Sequence, residues 1–369
     1  MALTTVSSDR LSTNVKNTNF TAAEKQDLTD DILPLAGQLG NRNLIINGAM
    51  QVAQRGTSST SSSYQTVDRF GISAGGQDNA MTQAQADVTS GGAYDSGFRK
   101  CLKITNANQT GGAGAADFYR IFQFTEAQNV AQSGWNYTSS SSFVTLSFWV
   151  KSSVAQNFYG YLRTQDGTQQ NFPFETGSLT ADTWTKITKT IPGNSNITID
   201  NDNGHGPCLF IDLFNGTDYT GSVTLNQWGA YNASVRVPDY GSANDDWYLT
   251  NSATFEITGV QLEVGEVVTD FEHRSFGQEL HLCHRYYHKT TSTNWFNLIE
   301  KGSTYRRLRY EFPNIMRVVP TVSNASGTNN GSSGTPTGTQ HASTKKVTFH
   351  WDSAGLVQLN SGCEFSAEL

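Results

Sequence analysis

Three histidines near position 284 have the side chains and the spacing of a metal site. His281, His284 and His288 recur at intervals of three and four residues, and Cys283 lies between them. On a helix these positions share one side, and histidines four residues apart suit zinc, which prefers imidazole nitrogen and thiolate ligands. The same spacing is typical of the polar face of an amphipathic helix. The sequence supports both interpretations.

A second group combines aromatic rings with carboxylates in a stretch that has no regular period, between positions 226 and 248. A sugar ring has an apolar face and a polar rim, so its binding site needs an exposed aromatic ring beside amides or carboxylates. Aromatic residues of a sandwich also fill its core, which is the other interpretation. We predict a glycan-binding loop with the following members: Trp228, Tyr231, Asp245, Asp246 and Trp247.

Signatures of catalysis are missing from the sequence. It contains neither a GxSxG motif nor a glycine-rich phosphate loop, and it has no long β-helix repeat. A glycosidase needs two carboxyls at a defined separation across the sugar. The adjacent pair Asp245 and Asp246 faces apart on either a strand or a helix. We therefore predict that the protein is not an enzyme and needs no cofactor.

Charge and composition argue against several kinds of partner. The net charge is −7 and the pI about 5.5, whereas binding to nucleic acid needs a basic surface. No apolar run approaches the roughly 18 residues of a membrane span, and the amino terminus lacks a signal-peptide pattern. The four scattered cysteines form no CxxC pair, which favours free thiols. We expect a protein folded in a cytosol, without a nucleic-acid partner and without membrane insertion.

The elements that would position these residues are mostly strands. Charged residues make up only 15% of the chain, and the abundance of Ser, Thr, Asn, Gln and Gly is typical of short strands joined by polar turns. Alternating apolar segments without a convincing helix predict a jelly-roll β-sandwich. Within Phe143–Val150 the alternation places Trp149 on the more polar face.

The final strand of this sandwich leads into the clearest helix pattern. Phe255 and Ile257 alternate, and the apolar set resumes one position out of step at Val260, which predicts a β-bulge at Gly259. From Phe276 the apolar period becomes three and four, which predicts a helix. The predicted organisation is an extended arm with a short helix at 1–40, the sandwich at 41–272, a linker helix at 273–288 and a small β-domain at 289–369.

Two apolar sets predict contacts with other chains. A β-domain of about 80 residues is small for an independent core. We therefore expect oligomerisation through the helix face that comprises Phe276, Leu280, Cys283 and Tyr287.

The amino-terminal arm contains a capping box, Thr21–Glu24, before a short helix that Pro34 ends. A short helix with so thin an apolar face is not stable by itself. The arm is either a frayed terminus or a segment that orders against a partner through Phe20, Leu28 and Ile32.

Three stretches resemble the jelly roll of bacteriophage tail-fibre and virion appendage proteins, which is similar to that of carbohydrate-binding modules. They are Asn43–Gly56 with Asp68-Arg69-Phe70, Asp182–Pro192, and Ile257–Gly265 followed by Phe271–Leu280 and Cys283–Tyr287. A fourth stretch, Phe312–Thr321, resembles the start of that family's C-terminal β-region. The resemblance implies a virion protein, usually a homotrimer, that is made in the host cytoplasm.

On this basis we expect a tail fibre that attaches to other virion proteins through residues 1–40 and contacts a host cell-surface glycan with its β-domains. One alternative is a purely structural protein that decorates the capsid or connects fibres without binding a receptor. Another is a free sugar-binding module of a cell, which the missing signal-peptide pattern disfavours.

The resemblance also implies a structural calcium ion. Glu263, together with backbone carbonyls near Asn47, would supply the oxygen ligands that calcium requires. The carboxylates expected directly after Asn47-Gly48 are replaced by Ala49, Met50 and Gln51. This departure argues against the ion.

Overall fold

The chain divides into two compact units, Met1–Arg42 and Asn43–Leu369. The computed structural model describes residues 42–239, 246–291, 298–301, 306–329, 332–334, 336, 338–340, 342–352, 357–359 and 362–369. The predicted arm and short helix of residues 1–40, with Phe20, Leu28 and Ile32, lie outside these residues.

Two antiparallel sheets, each of six strands, form the sandwich. Sheet A has the order β1-β3-β4-β12-β6-β9, and sheet B has the order β11-β8-β7-β10-β5-β2. The strand bounds are β1 Ser58–Ser59, β2 Gly71–Gly75, β3 Thr82–Asp87, β4 Lys100–Thr105, β5 Phe118–Glu126, β6 Phe143–Ser152, β7 Asn157–Arg163, β8 Gln170–Ser178, β9 Thr185–Pro192, β10 His205–Asn215, β11 Gly229–Ala230 and β12 Thr254–Val264. The predicted mainly-β sandwich is confirmed.

Alternation along each strand directs one set of side chains into the shared core and the other outward. In β6, Leu146 and Phe148 are core residues, whereas Trp149 is only partly buried and packs on the outside of sheet A. In β12 the pairing with β6 shifts register between Thr258 and Gln261, and Gly259 there has a φ of 62°. The predicted bulge is thus confirmed.

Four short helices accompany the strands in the described part of the chain, and none of its helices is long and apolar enough to cross a membrane. Their bounds are α1 Gly92–Asp95, α2 Ala127–Ala131, α3 Asp246–Leu249 and α4 Phe276–His284. Ser275 caps α4 with a capping box to Gln278.

Helix α4 ends at His284, four residues before the predicted end at His288. The chain then turns and enters strand β13, Tyr287–Lys289, which pairs with strand β22, Glu364–Ser366, near the carboxyl terminus. Sheet pairing outweighs the continued helical period, and Tyr286 and Tyr287 are buried in the resulting arrangement, with exposures of 1% and 2%. His288 therefore lies on a strand, and the three histidines do not share one helix.

Three smaller sheets follow the helix, with the orders β13-β22-β16, β14-β15-β20-β19 and β18-β17-β21. Their bounds are β14 Leu298–Lys301, β15 Arg306–Glu311, β16 Thr321–Ser323, β17 Gly327–Asn329, β18 Ser332–Gly334, β19 Gly338–Gln340, β20 Lys346–Trp351, β21 Val357–Leu359 and β22 Glu364–Ser366. This region has a core of its own around Leu308, Phe349 and Phe365.

Charged side chains buried between the sandwich and this β-region hold the two together. Arg69, with an exposure of 1%, pairs with Glu368, and its guanidinium lies 3.5 Å from the centre of the Tyr286 ring. Glu126 of strand β5 accepts hydrogen bonds from Arg285 Nε and from the Tyr286 hydroxyl, each at 2.5 Å. Several of these residues belong to the stretches on which the family resemblance rests.

Candidate functional site

The outer face of sheet A carries two adjoining clefts, each lined by a partly buried tryptophan. The Trp149 cleft has a volume of about 450 Å³ and is lined by residues that include Trp149, Lys186, Asp95, Asp270 and His273. The Trp184 cleft has a volume of about 210 Å³, and its lining includes Trp184, Lys151 and Asp182. Aromatic and polar groups thus meet at a concave surface, as a sugar site requires.

Strand register explains why both tryptophans face outward. Trp149 pairs with Lys186 across β6 and β9. Trp184 directly precedes β9, two residues before Lys186, so it is on the same face as Lys186. The buried Ile187 is on the other face. Alternation along Trp184-Thr-Lys-Ile therefore gives the same signal that identified Trp149. The predicted glycan-binding set contains neither Trp149 nor Trp184, although the alternation in the sequence places Trp149 on the more polar face of its strand.

Glycine residues before and within α1 let the backbone approach both rings. A Cβ on Gly92 would lie 2.7 Å from Cη2 of Trp149, and one on Gly91 would lie 3.0 Å from Cδ1 of Trp184. The Lys151 ammonium lies 5.2 Å from the centre of the Trp184 ring and 2.9 Å from Glu256. These contacts fix the tryptophans and one cation before any ligand binds.

The outer face of sheet B carries a similar set of residues, but it is covered. Tyr161 and Phe210 stack with ring centres 4.6 Å apart and have exposures of 0% and 3%. The segment 216–239 folds across them and brings Tyr231 to 6.5 Å from Tyr161. This face is therefore packed protein interior, in contrast to the clefts of sheet A.

Three arginines form a layer above these rings. The guanidiniums of Arg120, Arg163 and Arg236 lie 4.8 Å from Phe210, 4.4 Å from Tyr231 and 4.1 Å from Tyr219, respectively. The charges of Arg120 and Arg236 oppose the rise in the pKa of a nearby buried carboxyl.

This carboxyl belongs to Asp212, which is fully buried and accepts from Asn215 Nδ2 at 2.5 Å. Burial raises the pKa of Asp212 to about 6, although Arg120, Asn215 and Arg236 act in the opposite direction.

The predicted glycan-binding residues do not form one site. Trp228 packs on the core residue Phe172 and donates from Nε1 to the Pro192 carbonyl at 2.6 Å, whereas Tyr231 lies on the opposite face of sheet B. Asp246 is exposed at the start of α3, and Asp245 lies outside the described residues.

The prediction is wrong for Trp247, whose side chain has an exposure of 0% and packs in the core with its ring centre 6.4 Å from Phe158. A buried ring cannot present a face to a sugar. The sequence around Trp247 has no hydrophobic period, so it did not predict the single helical turn that directs this side chain into the core.

Two of the four predicted oligomer-interface residues are also buried within their own chain. Cys283 and Tyr287 have exposures of 0% and 2%, so they are not available to another copy. Phe276, with an exposure of 55%, and the partly buried Leu280 remain on the surface.

The predicted calcium ligand Glu263 already has protein partners. Its carboxylate accepts from Gln261 Nε2 at 3.0 Å and from the Thr269 amide at 2.9 Å and hydroxyl at 2.5 Å. The Asn47 carbonyl accepts from the Met50 amide. Donors occupy the oxygens that a calcium ion would need, so these residues do not fit the ion.

The histidines of the sequence prediction separate into a pair and an exposed neighbour. The His284 and His288 rings lie 4.8 Å apart, whereas His281 is exposed on α4. Burial lowers the pKa of both His284 and His288 to about 4. The charge of a neighbouring histidine contributes to each shift, that of His281 for His284 and that of His284 for His288. Within the described ranges, no group of three or more His, Cys, Asp or Glu side chains is arranged to hold a metal ion.

The four cysteines, Cys101, Cys208, Cys283 and Cys363, are unpaired and buried. Burial raises the pKa of each thiol, that of Cys101 to about 12. They therefore lack the accessible thiolate that a catalytic cysteine needs.

No protein-family model matches the chain, and no curated protein is similar to it in sequence. Solved structures that match include the enzymatically active domain of tailspike protein 4 of bacteriophage CBA120, with a TM-score of 0.31 and 7% identity over 60% of this chain and 21% of that chain. A putative sugar binding protein from Bacteroides thetaiotaomicron matches with a TM-score of 0.31 and 12% identity over 61% of this chain and 100% of that chain.

The N-terminal cellulose-binding domain of a Cellulomonas fimi β-1,4-glucanase matches with a TM-score of 0.27 and 10% identity, over 59% of this chain and 99% of that domain. Carbohydrate-binding modules and a phage tailspike domain are thus among the structures to which this chain is similar. At these identities and TM-scores, function has to be argued from the chemistry of the site.

Proposed function

We propose that this chain is a non-enzymatic virion appendage of a bacteriophage, a tail fibre, that contacts a glycan of the host surface. The observation that carries the glycan contact is the pair of adjoining clefts on sheet A, each lined by a partly buried tryptophan. The virion assignment rests on the resemblance of residues 43–288 and of Phe312–Thr321 to tail-fibre proteins.

The clefts supply the contacts that a sugar needs. The indole rings of Trp149 and Trp184 offer apolar faces for pyranose rings, and Lys186 and Asp182 offer a donor and an acceptor for hydroxyls at the rim. The Trp149 and Trp184 clefts adjoin where α1 meets the sheet, so an oligosaccharide of more than one residue fits them better than a single sugar.

The remaining parts of the proposal concern assembly. Residues 1–40 attach the protein to other virion proteins, and three copies associate, with Phe276 and Leu280 as the surface residues of the predicted interface. The protein acts in the virion without a cofactor. Light scattering of the purified chain tests the homotrimer, and incorporation of a chain lacking residues 1–40 into particles tests the attachment.

The experiment for glycan binding uses the purified full chain on host cells and on an array of bacterial surface glycans. We expect Trp149→Ala and Trp184→Ala to weaken adsorption at least tenfold while circular dichroism stays that of the wild type. Tyr231→Ala is the matched control, because this partly buried aromatic residue lies on sheet B. Adsorption that is lost in Tyr231→Ala and kept in the tryptophan variants would place the site elsewhere.

Absence of any adsorption, together with protein contacts on two sides in the particle, would overturn glycan binding. It would support the purely structural protein that decorates a capsid or connects fibres.

A further inference from the structure

A histidine pair lies where helix α4 meets the small β-region. His284 closes α4 and His288 lies in β13, and their ring planes meet at 87° with centres 4.8 Å apart. Both rings line a cavity of about 430 Å³ together with Gln54, Phe276 and Leu280. The turn between α4 and β13 brings the two imidazoles together, so their closeness does not depend on helical spacing.

The two ring nitrogens of His288 differ in their hydrogen bonding. Its Nε2 is hydrogen bonded to the Tyr310 hydroxyl, and the ring lies nearly parallel to Tyr310 and Phe365, at 14° and 11°. Its Nδ1 is buried and has no hydrogen-bond partner among the residues that the structure describes. Metal-ligating histidines typically have this arrangement, in which a second group holds one nitrogen and fixes the ring.

The chemistry of the two side chains also suits a ligand role. A neutral imidazole has a lone pair that coordinates a metal ion. A buried polar nitrogen without a partner is costly, and coordination would remove that cost.

We propose that His284 and His288 bind one divalent transition-metal ion of the zinc class, with water from the cavity completing its coordination. Two neutral imidazoles suit zinc, copper and nickel better than calcium or magnesium, which prefer oxygen ligands. The cavity of about 430 Å³ has room for the ion and several waters. The ion would tie α4 to β13 and, through Tyr310, to the core of the small β-region.

The test is isothermal titration of the untagged full chain with ZnCl₂ at pH 7.5. We expect one ion per chain with micromolar affinity, weakened at least tenfold in His284→Ala and in His288→Ala. His273→Ala is the control, because this exposed histidine lies in the Trp149 cleft. Zinc should also raise the unfolding temperature of the wild type but not that of His284→Ala.

Replacement of His288 removes a ring from a packed stack, so that variant alone would not separate misfolding from ligand loss. His284 is partly buried at the end of α4, and its alanine variant is expected to keep the wild-type circular dichroism. Unchanged zinc affinity in folded His284→Ala, or no binding to the wild type up to about 1 mM zinc, would overturn the proposal. Neither outcome depends on the glycan or virion assignments.

Discussion

The two outer faces of the sandwich contain similar residues and differ in what covers them. Sheet A presents Trp149 and Trp184 beside lysines, partly buried and next to open clefts. Sheet B presents Tyr161 and Phe210 beside arginines, with exposures of 0% and 3% beneath the segment 216–239. Aromatic rings with cations therefore contribute to stability on one face and remain available to a ligand on the other.

The comparison teaches that residue type alone does not identify a binding face in such a sandwich. Part of the stretch between positions 226 and 248, which was predicted to bind glycan, instead helps to cover sheet B through Tyr231. The decisive property is the fraction of each ring that the rest of the chain leaves uncovered. Substitutions on the two faces should separate stability from binding.

The largest expected effect is on the covered face. Phe210→Ala removes a ring that stacks on Tyr161 and contacts two arginines, so we expect the free energy of unfolding to fall by about 3–5 kcal/mol. Urea denaturation followed by fluorescence measures this loss. Trp184→Ala is the matched variant on the other face and should cost about 1 kcal/mol or less. Equal losses in the two variants would contradict the distinction between the faces.

The next effect is on binding. Trp184→Ala should weaken binding of the glycan identified on the array by about 2 kcal/mol, because an aromatic platform at the centre of a site carries a large share of the affinity. Surface plasmon resonance with the immobilised glycan measures the change, with Tyr231→Ala in parallel. A loss below twofold for the Trp184 variant would remove this cleft from the site.

The buried carboxyl of sheet B predicts a pH effect of similar or smaller size. Folded Asp212 keeps its proton up to about pH 6, whereas the unfolded chain releases it near the ordinary value of 3.8. Folding therefore binds protons between these values, and this group makes the free energy of unfolding fall as the pH rises from 4 to 6. Asp212→Asn should stabilise the protein by about 2 kcal/mol at pH 7 and by almost nothing at pH 4.

Calorimetry at the two pH values measures the difference, and Asp218→Asn, at an exposed position, is the control. The same stability change for Asp212→Asn at both pH values would show that burial does not hold the proton.

The smallest expected effect concerns the support of the Trp149 ring. Gly92→Ala places a Cβ 2.7 Å from Cη2 of Trp149, so the ring has to move, and we expect glycan affinity to fall by about 1 kcal/mol with little change in stability. Gly277→Ala is the control, since its Cβ would meet nothing within 4 Å. If the glycan affinity of the Gly92 variant falls while its crystal structure shows the Trp149 ring in the wild-type position, movement of the ring is not the cause of the lower affinity.

Local pattern in the sequence by itself determined much of this fold. Alternation identified the sandwich and put Trp149 on the polar face, and the one-residue slip before Val260 located the bulge at Gly259. Such features can be predicted because the strand period decides which way each side chain points, and only neighbouring residues set that period.

Only the tertiary structure decided which outward rings are covered and where the helix stops. Trp247 is buried because segments distant in the sequence pack over it, whereas Trp184 stays partly exposed because they do not cover it. A short stretch of sequence does not contain both a tryptophan and the distant segment that covers it. His288 is on strand β13, beside His284 at the end of α4, because β22, about eighty residues further along the chain, pairs with β13. Burial and strand pairing depend on contacts between residues that are far apart in the sequence, and the local hydrophobic period does not predict those contacts.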